Sequence, residues 1–222
     1  MGIPKNIFQT FKDNKIPWLT KLYIRSFLKK NKDYSYEFYD DQRVSDFFAE
    51  HFDERINKAY RRLQIGAAKA DFFRYAVLYI YGGIYIDLDS DLLVSIDKYL
   101  NKDDVAVITH ENNRSLYAQW ALIFDKGHPF LKRTMELIVD NIEQNRFPHD
   151  VHAMTGPTVY TLAINEVLKE NPSVAYRCIE DDYKGLLKFK YKLGKLMIYK
   201  DKSNHWKKLQ LRIPVVKPDT DF

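Results

Sequence analysis

The chain has 222 residues, 45% of them hydrophobic and 15% aromatic, and a formal net charge of +5. That length and apolar content can bury a full core, which excludes a disordered chain. A single cysteine, Cys178, excludes an intrachain disulfide and a cysteine-built zinc cluster and fits a reducing cytoplasm.

The opening MGIPKNIF lacks the basic, long apolar and small-residue pattern of a signal peptide. Asn6 to Phe11 predicts a strand and Pro17 to Lys30 a helix with proline near its first turn. Tyr34 to Tyr39 alternates and is aromatic, as a second strand would be. Helical patterns follow over Gln42 to His51 and Glu54 to Leu63.

From Gln64 to Tyr81 apolar residues occupy nearly every helical face, so this helix is expected to be buried. Gly82 and Gly83 stop it where a left-handed cap is expected, and Ile84 to Leu88 reads as the next strand. The longest apolar stretch, Tyr75 to Ile86, is too short to span a bilayer, so a soluble cytoplasmic protein is expected. Val105 to Thr109 and Ala121 to Phe124 read as strands, Pro129 to Asn145 and Pro157 to Glu170 as helices. This order predicts an α/β fold with a mostly parallel or mixed sheet, in one domain over residues 1–222. Beyond Asn171 the pattern fades. A basic segment runs from Lys184 to Lys217, suited to an anionic membrane, to phosphates or simply to water. No zinc-finger, RNP or helix-turn-helix pattern accompanies it, so nucleic acid is not expected as a partner.

The segment GGIYIDLDSD, Gly82 to Asp91, places acids on alternate positions behind a core-like run. On a strand, Asp87, Asp89 and Asp91 would share a face while Ile86 and Leu88 point inward. Two such charges about 6 Å apart repel by about 3 kcal/mol at an effective dielectric of 20, so a cation is expected between them. An all-oxygen site of this kind suits Mg²⁺ or Mn²⁺ together with phosphates. Asp-X-Asp by itself equally describes a polar strand end.

Asp71 and Arg74 lie three apart in the buried helix, where charges need partners. Folding back at the double glycine would bring them level with Asp87, after about 15 Å of helix and 13 Å of strand. A calcium loop of the EF-hand type fails, because Leu92 and Lys98 stand where it needs glycine and glutamate. A haloacid-dehalogenase-like phosphatase would continue differently after Asp89. It stays a runner-up to a third reading, a nucleotide-sugar transferase, in which a metal would bridge the donor diphosphate to the protein.

The run AAKADFFRYAVLYIYGGIYIDLD resembles the signature of retaining glycosyltransferases of the DXD-containing, sugar-binding-region family, related to capsular-polysaccharide and yeast α-mannosyl enzymes and more distantly to clostridial glucosylating toxins. IPKNIFQTF and NKDYSYEFYDD resemble that family's first two strands, and GHPFL and TGPTVY its later landmarks. The resemblance implies a GT-A fold, Rossmann-like with a mixed sheet flanked by helices. It implies a metal-dependent retaining transferase moving a hexose from a UDP- or GDP-sugar to a glycan, lipid-linked or other acceptor. A non-catalytic nucleotide-sugar or glycan-binding module of the same fold is the contrasting class.

By the same resemblance, Asp71 and Arg74 would hold the donor sugar, and Asp87 and Asp89 would bind Mn²⁺ or Mg²⁺ with the diphosphate. Gln9, Thr10 and Phe11 would lie at the base and ribose, with Gly83 beside the donor. Phe8 and Phe11 depart from the histidine and tryptophan usual there. His205, before Trp206, is the candidate third metal ligand. On the acceptor side stand Glu111, after a strand, and Thr155 and Gly156, at a helix start. His110, His128, His149 and His152 read as loop or surface residues.

Overall fold

The computed structural model describes residues 2–111, 115–179, 182–189 and 205–218. Lys190, Lys192, Lys195, Lys200 and Lys202 of the basic segment lie outside the described residues.

The amino-terminal half alternates strand and helix: β1 (Asn6–Thr10), α1 (Trp18–Lys30), β2 (Ser35–Tyr39), α2 (Asp41–His51), α3 (Glu54–Arg62), α4 (Gly66–Tyr81) and β3 (Gly83–Ile86). After β4 (Asp91–Leu92) come β5 (Ala106–Thr109), β6 (Ala121–Phe124), α5 (Pro129–Glu143), α6 (Val151–Met154), α7 (Pro157–Glu170), β7 (Arg177–Ile179), β8 (Leu187–Lys188) and a short helix, Trp206–Leu209. Most predicted ends differ from these by one or two residues. The short β4, β7, β8, α6 and Trp206–Leu209 were not predicted.

The main sheet has the order β2-β1-β3-β6-β5-β7. β2, β1 and β3 run parallel, β6 is antiparallel to both β3 and β5, and β7 is parallel to β5. Pleating sends neighbouring side chains to opposite faces. Ile7 and Ile84 therefore join one apolar cluster with Phe27 and Leu88, while Phe8 and Tyr85 join another with Tyr39 and residues of α4. α4 is buried from Ala68 to Leu78 on almost every side, as its composition requires.

The double glycine does two jobs. Gly82 caps α4 at φ 64°, its N–H donating to Leu78 O at 2.9 Å. Gly83, at φ 116°, lies so near β1 that an added Cβ would sit 2.6 Å from Asn6 O. Gly83 is thus a packing glycine between strands.

One expectation is corrected at the acids. β3 ends at Ile86, and Asp87 to Ser90 form a turn closed by Ser90 N–H donating to Asp87 O at 2.9 Å. The acids do not share a strand face, because the chain leaves extended geometry before aspartate, a poor strand former, has to alternate. Asp91 instead opens β4 and pairs with Lys188 of β8.

His128 does lie in the loop before α5 but is not a surface residue: it is 6% exposed and caps α5, its Nδ1 accepting from Phe130 N–H at 3.2 Å while Nε2–H donates to Ala175 O at 3.1 Å. No described helix is long and apolar enough to cross a membrane.

Candidate active site

A cleft of about 980 Å³ opens beyond the end of β3, and the end of β1, α4 and the 205–209 segment contribute to its walls. Open sheets commonly bind ligands past the carboxyl ends of parallel strands, which is where β1 and β3 deliver their last residues.

α4 brings Asp71 and Arg74 to the floor, and the turn after β3 brings Asp87 and Asp89. Arg74 Nη2 lies 3.2 Å from Asp71 Oδ1 and 2.9 Å from Asp87 Oδ1. Its Nη1 donates to Gln119 O at 3.0 Å, and its guanidinium lies 5.0 Å from the Tyr85 ring centre. The helix-strand fold-back inferred from the double glycine therefore does bring these charges together. Asp71 and Arg74 are nearly closed to water, whereas the Asp87 side chain is 26% exposed toward the cleft.

Each oxygen of Asp71 has a further donor: Gln119 Nε2 at 3.1 Å on Oδ1 and Thr155 Oγ1 at 3.0 Å on Oδ2. Tyr85 OH donates to Asp87 Oδ1 at 3.1 Å. Asp87 N–H donates to Trp120 O at 2.8 Å, and Gln9 Nε2 reaches Asp87 O at 3.4 Å. Both the backbone and the side chain of Asp87 are positioned from β1, β3 and the start of β6.

Burial raises the Asp71 carboxyl, against the opposing pull of Arg74. Burial by itself would lower Arg74, but Asp87, Tyr85 and Asp71 overcome it and hold the guanidinium charged. Tyr75 and Tyr85 are pushed well above the ordinary phenol value by burial, so both remain hydroxyl donors. Glu111 is raised by burial, which His152 opposes.

Thr10, Phe11, Glu111 and His205 also line the cleft, together with Asp71, Arg74, Asp87 and Asp89. Gln9, Gly83, Thr155 and Gly156 do not. Gln9 is fully buried and accepts from Tyr36 OH at 3.0 Å, so it supports Asp87 from beneath. Thr155 is fully buried and acts on the cleft only through Asp71. Gly156 is buried at the start of α7, where an added Cβ would sit 2.8 Å from His152 Cα. None of these placements resembles the contact roles expected from sequence.

His205 caps the Trp206–Leu209 helix through Nδ1, and its ring stacks on Trp206. Among the described residues no three His, Cys, Asp or Glu side chains form a cluster able to hold a metal. Asp87 and Asp89 nevertheless have the chemistry a hard divalent cation takes: two carboxylates from one turn, both on the cleft lining, the Asp87 side chain partly exposed and Asp89 buried. Gln119 and Trp120, which also line the cleft, were not singled out from sequence; His152, read as a loop or surface residue, instead lies in α6 on the cleft wall with Trp206. Trp120 Nε1–H donates to Asp182 at 2.9 Å, and the His152 and Trp206 rings lie 5.0 Å apart.

Residues 17–106 match the family described as glycosyltransferase sugar-binding region containing DXD motif. An initiation-specific alpha-1,6-mannosyltransferase of Candida albicans is 25% identical over 74% of this chain and 53% of its own length. Inositol phosphoceramide mannosyltransferase 3 of Schizosaccharomyces pombe is 31% identical over 70% of this chain and 43% of its own. The chain thus spans about half the length of the curated relatives it matches. Among solved structures, the PaToxG glycosyltransferase superposes with a TM-score of 0.63 at 21% identity, covering 77% of this chain and 70% of that one. The mixed sheet flanked by helices is a GT-A fold.

Proposed function

We propose that this chain, whose residues 17–106 are a DXD-containing glycosyltransferase sugar-binding region, is a metal-dependent retaining hexosyltransferase using a nucleoside-diphosphate sugar. The observation that carries this reading is the ion array Asp71–Arg74–Asp87 on the cleft floor, with Asp89 on the same turn.

Asp87 and Asp89 would hold Mn²⁺ or Mg²⁺, which when bound neutralises charge developing on the leaving diphosphate. Arg74 faces the sugar. Two of its nitrogens are fixed by Asp71, Asp87 and Gln119, and its buried Nε has no protein partner among the described residues. Leaving that buried donor unpaired costs desolvation energy; it is closed to the cleft, so contact with the sugar falls to the part of Arg74 that lines the cleft. Asp71 touches the donor less than it steadies Arg74.

Retention follows if the acceptor attacks the face from which the diphosphate departs. The bond from the anomeric carbon to the diphosphate oxygen breaks, a bond to the acceptor oxygen forms, and the acceptor proton passes to the diphosphate. No protein base is required. The mannosyltransferase names of relatives support mannose as the hexose, and a relative named for inositol phosphoceramide supports a lipid-linked or glycan acceptor.

The test is donor hydrolysis over a panel of UDP- and GDP-hexoses with Mn²⁺. Asp89→Asn should lower turnover by about 100-fold, the scale of losing one electrostatic stabiliser, with the melting temperature unchanged. Wild-type donor binding without any nucleotide release would favour a binding module, and full turnover by Asp89→Asn would contradict the metal assignment.

A further inference from the structure

Residues 184–217 carry eleven lysines and arginines and one acid, a net +10 in a chain whose total is +5, so the remainder is net acidic. Within that stretch, described residues 205–218 contain Lys207, Lys208, Arg212 and Lys217 and no acid before Asp219. The segment is pinned to the body at several points. Val215 N–H donates to Pro148 O at 2.7 Å, Gln64 N–H to Val215 O at 3.0 Å, and Lys217 N–H to Arg62 O at 2.8 Å. The Gln210 side chain accepts from Val151 N–H at 3.0 Å. Its charges are therefore displayed on a fixed surface.

The apolar groups of the segment divide in a telling way. Val215 and Val216 are buried, Trp206 and Leu209 line the cleft, and Leu211 is 76% exposed. Phe147, 38% exposed, precedes the Pro148 that Val215 holds. A lone surface leucine is ordinary, but one fixed beside Lys208 and Arg212, with an exposed phenylalanine on the adjoining loop, has the makeup of an interfacial anchor.

We propose that this face docks on an anionic lipid bilayer, with Lys208 and Arg212 on the headgroups and Leu211 entering the interface. The cleft wall formed by Trp206, Lys207 and Leu209 would then open at the membrane surface. Charge complementarity selects the occupant. An acidic polysaccharide or a nucleic acid would satisfy the cations but leave Leu211 in water, whereas a bilayer takes both signals at once. This goes beyond the transferase reading, and it is tested without donor or metal, so either can fail alone.

The full chain is sedimented with phosphatidylcholine vesicles, with and without phosphatidylglycerol, at low salt and at 1 M salt. Binding is expected only to the anionic vesicles, and it should be lost at 1 M, where the screening length falls to about 3 Å. Joint Lys208→Ala and Arg212→Ala should lower partitioning about tenfold or more, and Leu211→Asp severalfold, each with wild-type melting temperature. Failure of the wild type to bind anionic vesicles overturns the proposal. So does unchanged vesicle binding by Leu211→Asp, whether the variant binds heparin as before, which would indicate a polyanion, or changes oligomeric state, which would indicate a second copy.

Discussion

Gln119 shows how one amide can set the geometry of two charges. Its Oε1 accepts from Tyr75 OH, so its Nε2 must be the end that donates to Asp71, while its backbone carbonyl holds Arg74. Leucine at this position would keep the volume and lose both polar contacts. Gln119→Leu should therefore lower kcat/KM by about 10- to 100-fold, the usual effect of removing a group that orients a site residue. Gln119→Glu sets a second carboxyl against Asp71, and the two cannot comfortably ionise together. Its activity should rise as the pH is lowered, unlike the wild type's, and an unshifted pH profile would assign Gln119 a merely structural role. Asp71 and Arg74 were readable from sequence because they sit three apart on one helix. Gln119 was not, because its partners lie more than forty positions away and no local pattern marks it. The same holds for Thr155, whose helix-start position suggested a ligand contact although it is closed beneath Asp71.

Among the elements, α5 depends on a histidine that must stay neutral. To accept from Phe130 N–H and donate to Ala175 O, the His128 ring has to carry its only proton on Nε2. Protonation would turn Nδ1 into a donor facing another donor. Burial holds the folded pKa below the ordinary 6.5, against the pull of the Ala175 carbonyl and Asp125. Below 6.5 the unfolded chain takes up this proton before the folded chain does, so stability falls as pH drops through that window. Denaturant melts over this range should show that decline. His128→Asn, which keeps a capping oxygen, should remove this part of the slope, and an identical slope would contradict the role. His128→Ala should cost about 1 kcal/mol at neutral pH. Helices and core strands were readable because their periodicity is local and their stops are glycine or proline. The short strands β4, β7 and β8 were not, since two or three residues carry no period and depend on distant partners. The end of β3 was overrun for a related reason: alternation continues through Asp87 and Asp89, but the chain has already turned.

The molecule as a whole sets an acidic floor against a basic flank. Asp71, Asp87 and Asp89 outnumber Arg74 on the floor, while Lys12, Lys15, Lys69 and Lys207 stand around the same cleft with Asp13, Asp41 and Glu111 among them. A diphosphate carried on a divalent cation matches that arrangement, its oxygens toward the lysines and the cation toward the carboxylates. The α/β class followed from the order of elements, but the antiparallel insertion of β6 between β3 and β5 did not, because strand order is set by long-range pairing. The proposed transferase chemistry rests on Asp87 and Asp89 sharing one divalent cation. It is tested most directly by anomalous diffraction from crystals grown with Mn²⁺ and a nucleoside diphosphate. A single manganese peak within about 2.5 Å of both carboxylates and of the diphosphate oxygens is predicted. A bound diphosphate with the manganese absent from that turn, or held by other residues, would contradict the account.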